Sequence, residues 1–315
     1  MTKRIIHVVG LQKSGTSLLV RLLENSGYAQ FLDGKGKTEG GIDWGHRPAF
    51  SPVDWPAGTI YQRSKGEMGH DIGAEDATAD VCDAVRKRTA ERLASVPTEF
   101  GISKVPYDMV RLPWVRAVLP DLFIVGIVRR PVPNVYSLWK RFQPDSGTSP
   151  PEEGWWGVKP AHWRELVRKD KVAQISHQWE QTNRKMWRDR KTLDHLITYD
   201  RLCADPAGVI SAILTDARRA PVSAIFGHDA LPSCDEEYTR GCRLLPRRRE
   251  WVVSNCLVLS EPTEKELDPF TEEQVETVEA ICENIAQTMG LWTDEPANKP
   301  GNGDIRATPM SPDCR

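Results

Sequence analysis

No apolar stretch among these 315 residues is long enough to form a membrane-spanning helix, which takes about 20 predominantly apolar residues. Nothing in the chain is therefore expected to span a bilayer. Cysteine is present but unorganised: Cys82, Cys203, Cys234, Cys242, Cys256, Cys282 and Cys314 are scattered. No C-x-x-C pair with a Cys or His partner set occurs, so zinc is not expected. The thiols read as reduced and the protein as cytoplasmic, although Cys234, Cys242 and Cys256 do lie close together in sequence. Charge of one sign is also lacking. The 42 basic and 44 acidic side chains leave a net charge of -2, and nothing in that balance draws the molecule to nucleic acid or to an anionic membrane. The first residues, MTKRIIHVVG, carry neither the long apolar region nor the small-residue cleavage site of a secretory signal, so they read as a first strand. No internal repeat is present, and nothing fixes an oligomeric state.

What is present is a 39 % share of apolar residues, enough for a sizeable core. Residues 5–9 form a buried strand. Leu18, Leu19, Leu22 and Leu23 then recur at helical spacing until Ser26-Gly27 stops the helix. Residues 31–75 differ from their surroundings. They are rich in Gly, Pro, Trp, His and charge, and a loop of that length is usually functional or disordered; the tryptophans argue against disorder. A helix is expected at about 76–94, a short strand in FGISKV, a short helix in MVRLPWVRAVL, the clearest buried strand at 122–128, and a helix opened by VPNVYSLWKRF. After a Pro/Gly loop at 144–160 come a long helix over about 171–190, the strand LITY, and a helix from Asp205-Pro206 to about 219. Residues 220–270 are irregular. The last helix opens with a capping box, Thr271 with Gln274, and ends at Gly290 in the C′ position. A polar Pro/Gly tail, expected to be flexible, follows at 293–315. Strands alternating with helices predict an α/β fold with a central parallel β-sheet flanked by helices. The expected organisation is one domain over 1–292.

Chemistry concentrates first in GLQKSGTS, Gly10–Ser17, between the first strand and the first helix. Backbone N–H groups of residues 14–18 can wrap an anion at that helix N-terminus. A Walker A loop, G-x-x-x-x-G-K-[ST], places its lysine directly after the second glycine. Here that position is Thr16, and the only lysine of the loop is Lys13. The strand at 122–128 ends in Arg129-Arg130, where a nucleotide triphosphatase would place a metal-binding Asp. A phosphate cradle is retained and the metal apparatus is not. The plainer alternative is a strand-turn-helix that only caps itself with Ser and Thr.

The loop resembles the 5′-phosphosulfate loop of sulfotransferases that use 3′-phosphoadenosine 5′-phosphosulfate (PAPS). A second stretch strengthens the resemblance: in FIVGIVRRPVPNVYSLWKRF, Arg129 stands at the strand end and Ser137 follows eight residues later, like that family's 3′-phosphate segment. LITYDRLCADPAGVISAIL is similar to its Y-E-D-L strand-loop-helix. The resemblance covers about 5–30, 100–142 and 175–290. It implies a P-loop nucleotide-kinase-like, three-layer sulfotransferase sandwich. It also implies PAPS as donor, adenosine 3′,5′-bisphosphate (PAP) as product, and no metal. Lys13 would contact the sulfuryl end, with Ser14, Gly15, Thr16, Ser17 and Leu18 around the 5′-phosphate. Arg129 and Ser137 would hold the 3′-phosphate, and Tyr199 would stack or hydrogen-bond on the adenine side or merely pack. Lys104, in ISKVPYD, matches the family lysine beside the sulfuryl group, with a surface lysine as the plainer reading.

Sulfuryl transfer builds charge on the leaving phosphate, so positioning and fixed cations do most of the work. A hydroxyl acceptor also needs a base. Small-molecule sulfotransferases have a His two residues after the lysine, and here that position is Pro106. Asp43 and Glu39 are the first candidates in its place and His70 the next. Glu67 and Asp71 flank His70, and Asp108 lies near Lys104 in sequence. The Trp-rich segments are expected to wall the acceptor pocket, with Trp44, Trp55, Trp155, Trp156 and Trp163 as flat platforms. A small molecule, glycolipid or saccharide is the expected acceptor. The RRRE run at 247–250 reads as a solvated face or as a second anion contact. The rival readings are a P-loop kinase or NTPase, which needs the missing lysine and metal carboxylate, and a nucleotide-binding module without catalysis.

Overall fold

The structure is a computed structural model that describes residues 3–36, 66–142, 153–220 and 270–291. Its strands are β1 (Arg4–Val9), β2 (Ala29–Phe31), β3 (Phe100–Lys104), β4 (Phe123–Val128) and β5 (His195–Thr198). Its helices are α1 (Thr16–Asn25), α2 (Ala79–Ser95), α3 (Leu112–Val118), α4 (Pro131–Trp139), α5 (Lys171–Arg188), α6 (Tyr199–Ala204), α7 (Pro206–Arg219) and α8 (Glu272–Thr288). The strands form one five-stranded sheet in the order β2-β3-β1-β4-β5, and every pairing is parallel. This is the expected α/β class. The expectations on Glu39, Asp43, Trp44, Trp55, the 247–250 run and the 293–315 tail fall outside the described residues.

Parallel strands in a sheet of this kind are covered on both faces and read as continuous apolar runs. RIIHVV and FIVGIV are buried along their whole length. Alternation then assigns the faces. Ile6 and Val8 pack with Leu19, Leu23, Ile102, Val125 and Ile213, under α1 and α7. Ile5 and Val9 pack with Trp114, Val115, Ile124, Ile175 and Ile285, under α3, α5 and α8. The molecule thus has three layers, with a core on each face of the sheet.

Two local details matter for the site. The order of winding reverses at β1: β2 and β3 are added on one side and β4 and β5 on the other. Ligands of open α/β sheets bind beyond the strand C-termini at such a switch point, which here lies between the ends of β1 and β4. Secondly, Tyr199 is the first residue of a helix, and not the last of a strand. At the far end of the chain the sequence reading of α8 holds. Thr271 and Gln274 exchange both capping-box hydrogen bonds. Gly290 at φ 67° lets Leu291 N–H reach the Ala286 carbonyl at 2.8 Å, as a helix-ending glycine should.

No helix among the described residues is long and apolar enough to cross a membrane. The described cysteines Cys82, Cys203 and Cys282 are free thiols.

Candidate active site

The loop after β1 is shaped by contacts that only certain residues permit. A Cβ on Gly10 would lie 2.4 Å from the Ile127 carbonyl oxygen of the neighbouring strand, so β1 and β4 can converge there only on a glycine. Ser14 N–H closes a tight turn on the Leu11 carbonyl at 3.1 Å. Gly15 caps α1 at φ 106°, and a Cβ there would sit 2.5 Å from Tyr199 Cδ2. The first four N–H groups of a helix have no intrahelical acceptor, and in α1 they open into this turn.

Side chains from α4 and the end of β4 set the loop's polarity. Asn134 Nδ2 donates to the Gln12 carbonyl at 3.0 Å, and Arg129 Nη1 donates to the Lys13 carbonyl at 3.2 Å. Both carbonyls are thus held on the α4 side of the loop. Lys13 takes a left-handed φ of 68°, unusual for a residue with a side chain. Arg129 Nη1 also reaches Ser137 Oγ at 3.2 Å, one turn and a half into α4. Its guanidinium lies 4.4 Å from the centre of the Tyr199 ring.

Lys104 arrives from the other side. It ends β3 opposite Val8 of β1 and donates to Ser17 Oγ in the first turn of α1 at 3.2 Å. Lys104 and Ser17 thus meet on one side of the loop, and Arg129, Ser137, Tyr199 and the Lys13 carbonyl on the other. Burial is the main cause that pulls the Lys13 ammonium below its ordinary pKa, with the charge of Arg141 second. Arg141 is one turn beyond Ser137, and its guanidinium lies 5.8 Å from the Trp156 ring centre.

The residues fit a multiply charged anion. Ser14 is 1 % exposed, and its Oγ, like Arg129 Nε, is buried without a hydrogen-bond partner in the protein. Buried polar atoms are nearly always satisfied, so these two atoms suit an added anionic group better than a closed core. The N-terminus of α1, capped by Gly15, opens onto the same turn, and helix N-termini favour anions.

His70 is buried, 4.3 Å from the Tyr107 ring, and its Nδ1 accepts the Lys159 N–H at 2.8 Å. Its pKa lies well below the ordinary imidazole range, through burial first and the charges of Arg111 and Lys159 next. The ring is neutral, with its proton on Nε2. Asp71 pairs with Lys185 at 3.3 Å. Asp108 is not a free carboxylate. It is fully buried between His7 Nε2, at 2.9 Å, and Arg111 Nε, at 2.7 Å. Burial opposes its ionisation, but Arg111 and His7 outweigh that and hold its pKa below the ordinary value.

The tryptophan platforms need a correction. Trp155 and Trp163 are 1 % and 0 % exposed, packed edge to face with ring centres 5.7 Å apart. Their indole N–H groups donate to Val158 and Gly66 carbonyls at 3.0 Å. They are core residues that fasten the 154–163 segment, leaving Trp156 as the partly buried ring on that side. Gln174 and Gln178 of α5 tie the same segment down through the Gly154, Trp156 and Val158 carbonyls. Gln12 Oε1 accepts Val158 N–H at 3.3 Å, so the segment also rests on the loop. Sequence reading missed Gln12, Asn134 and Arg141. The only available signal was their position inside or just beyond the two motifs.

Over residues 6–218 the chain matches the sulfotransferase family. It is a member of that family. No curated protein matches it in sequence. Among solved structures it is similar to the sulfotransferase domain from the curacin biosynthetic pathway, at 13% identity and a TM-score of 0.42, covering 92% of this chain and 98% of that one. A sulfotransferase from Mycobacterium avium is similar at 14% identity and a TM-score of 0.42, covering 91% of this chain and 77% of that one. A mouse sulfotransferase complexed with PAP is similar at 14% identity and a TM-score of 0.39, covering 91% and 86%. Family membership rests on the match over 6–218.

Proposed function

We propose that this chain transfers a sulfuryl group from PAPS to a hydroxyl or amine of a small molecule, glycolipid or saccharide. The observation that carries the reading is Arg129. Its Nη1 lies within 3.2 Å of both Ser137 Oγ and the Lys13 carbonyl, and this pairing of hydroxyl and guanidinium beside the loop supports the reading of an anion site. PAPS supplies an activated sulfuryl group with phosphates at its 5′ and 3′ positions, which suits two adjoining anion sites. Arg129 and Ser137 hold the 3′-phosphate in this reading, through a planar fork and a hydroxyl. Ser14 to Leu18 cradle the 5′-phosphate. Lys13 and Lys104 bring positive charge to the transferring end, where fixed donors count most as negative charge develops on the leaving oxygen.

The acceptor's proton needs a base within hydrogen-bond reach. Glu39 and Asp43 keep that role as proposals. His70 would have to act through Nε2, which carries the proton while Nδ1 accepts from Lys159.

Calorimetry with PAP and 5′-AMP tests the donor assignment. Loss of the 3′-phosphate should weaken binding at least tenfold, about 1.4 kcal/mol. Equal affinities for the two nucleotides would remove Arg129 and Ser137 from the site and PAPS from the reaction.

A further inference from the structure

Arg129 and Tyr199 meet for a reason written into the sheet. β4 and β5 run parallel, with Val128 opposite Thr198. Arg129 and Tyr199 are the next residues of each strand, so the topology sets them side by side. Thr198 Oγ1 accepts Arg201 N–H at 3.1 Å, which caps α6 and fixes Tyr199 at the start of that helix. The ring is then held from several directions. Its Cδ2–Cε2 edge lies against the Gly15 turn, within 2.5 and 3.1 Å of where a Cβ would be. Its hydroxyl end faces the Cys203 side chain. Its face carries the Arg129 guanidinium at 4.4 Å.

We propose that Tyr199 is a positioning residue for Arg129, and through it for recognition of the 3′-phosphate, and is not a platform for the nucleotide base. The inference rests on the assignment of Arg129 to the 3′-phosphate. A planar guanidinium on a flexible stem binds an anion well only if its plane is fixed beforehand. Ser137 Oγ and the Lys13 carbonyl fix one nitrogen, and the electron-rich ring fixes the plane. The covered face of Tyr199 cannot also stack on adenine. The close approach of the Gly15 turn holds the ring itself in place.

The test compares PAP and 5′-AMP binding by calorimetry in the wild-type protein, Tyr199→Phe, Tyr199→Leu, Arg129→Ala and the double variant Arg129→Ala/Tyr199→Leu. Tyr199→Phe keeps the ring face and should keep the wild-type preference for PAP. Tyr199→Leu should lower that preference about tenfold while 5′-AMP affinity changes less than about twofold. In the Arg129→Ala background the same change should have no further effect on the preference. A base platform gives another pattern: PAP and 5′-AMP weaken together and the preference stays, which would overturn the proposal. So would an unchanged preference with both affinities intact, the mark of mere packing. Should Tyr199→Leu fail to fold, stepwise fluorination of the ring in Tyr199→Phe drains its negative face with little change of shape. The PAP preference should then fall step by step, and a constant preference would overturn the idea equally. A wild-type protein that does not distinguish PAP from 5′-AMP would refute the donor reading itself, and this inference with it. A wild type that does distinguish them, beside a Tyr199→Leu variant that keeps the preference, would refute this inference alone.

Discussion

Replacing Lys13 with glycine should make the protein at least as stable and much less active. Lys13 holds a left-handed φ of 68°, a conformation that costs a residue with a Cβ about 1–2 kcal/mol. Glycine pays no such cost but brings a more flexible unfolded chain, worth about 0.4–1 kcal/mol in the other direction. The balance favours Lys13→Gly by about 0–1.6 kcal/mol, with a middle value of about 0.8 kcal/mol. The ammonium adds to this in the same sense, because burial and Arg141 disfavour its charged form in the folded protein. Lys13→Ala removes the same charge but keeps the strain, so the glycine variant should be the more stable of the two by about 1 kcal/mol. That difference is about 2 °C in midpoint for a chain of this size. Turnover should behave in the opposite way. In the proposed reaction Lys13 meets charge that develops only as the sulfuryl bond breaks. Losing one such donor costs about a hundredfold, or about 2.7 kcal/mol of transition-state binding, whichever residue replaces it. Thermal unfolding without nucleotide and single-turnover rates at saturating PAPS read the two effects separately. A glycine variant that unfolds below the alanine variant would refute the strain argument. Turnover within about threefold of wild type in either variant would refute the catalytic role.

Two other outcomes are expected. Asp108→Asn should destabilise the protein by about 3–5 kcal/mol in urea unfolding, because it leaves Arg111 buried without its carboxylate; a loss below about 1 kcal/mol would show the network to be dispensable. The folded pKa of Asp108 lies below its ordinary value of 3.8, so its contribution is complete above about pH 4. It should disappear as pH falls through the lower folded value, and Asp108→Asn should flatten that acid limb. Sulfuryl transfer should continue in excess EDTA, since Lys13, Lys104 and Arg129 supply the positive charge and β4 ends in Arg129-Arg130 where a metal carboxylate would stand; complete loss restored by magnesium would return the kinase-like alternative to first place.

The parts of the site that were legible in the sequence are those set by local backbone geometry. GLQKSGTS announces itself because Gly10 and Gly15 must be glycines for steric reasons that do not depend on distant partners being guessed correctly. Arg129 and Ser137 are legible because they follow the most continuous apolar strand at a fixed helical interval. What escaped depends on meetings across the fold. Asp108 is one such case: four residues after Lys104 it looks like a neighbour of the reacting groups, yet His7 and Arg111 draw it to the opposite face of the sheet. Trp155 and Trp163 are another, since an indole suits a pocket wall and a core equally well and only their packed partners decide. The strand β2, AQF, is too short to carry a periodic signal. Tyr199 reads as a strand end because nothing in LITYDRL shows that Thr198 caps a new helix at that point.

The position of Lys13 follows from these contacts. In a Walker A loop the lysine opens the helix; here Thr16 occupies that place and is 3 % exposed, with no room for a long cationic chain. A lysine displaced into the turn needs its backbone fixed by something outside the helix. The Lys13 carbonyl is held by Arg129, and the preceding Gln12 carbonyl by Asn134. In the proposed reaction, the group that meets the leaving charge and the group that reads the far phosphate of the donor therefore share a hydrogen bond. Binding energy from that remote phosphate can then be spent on orienting Lys13, the kind of expenditure that raises turnover and not only affinity. A donor that lacks the 3′-phosphate loses the anchor and, through Arg129, part of the geometry at the reacting end.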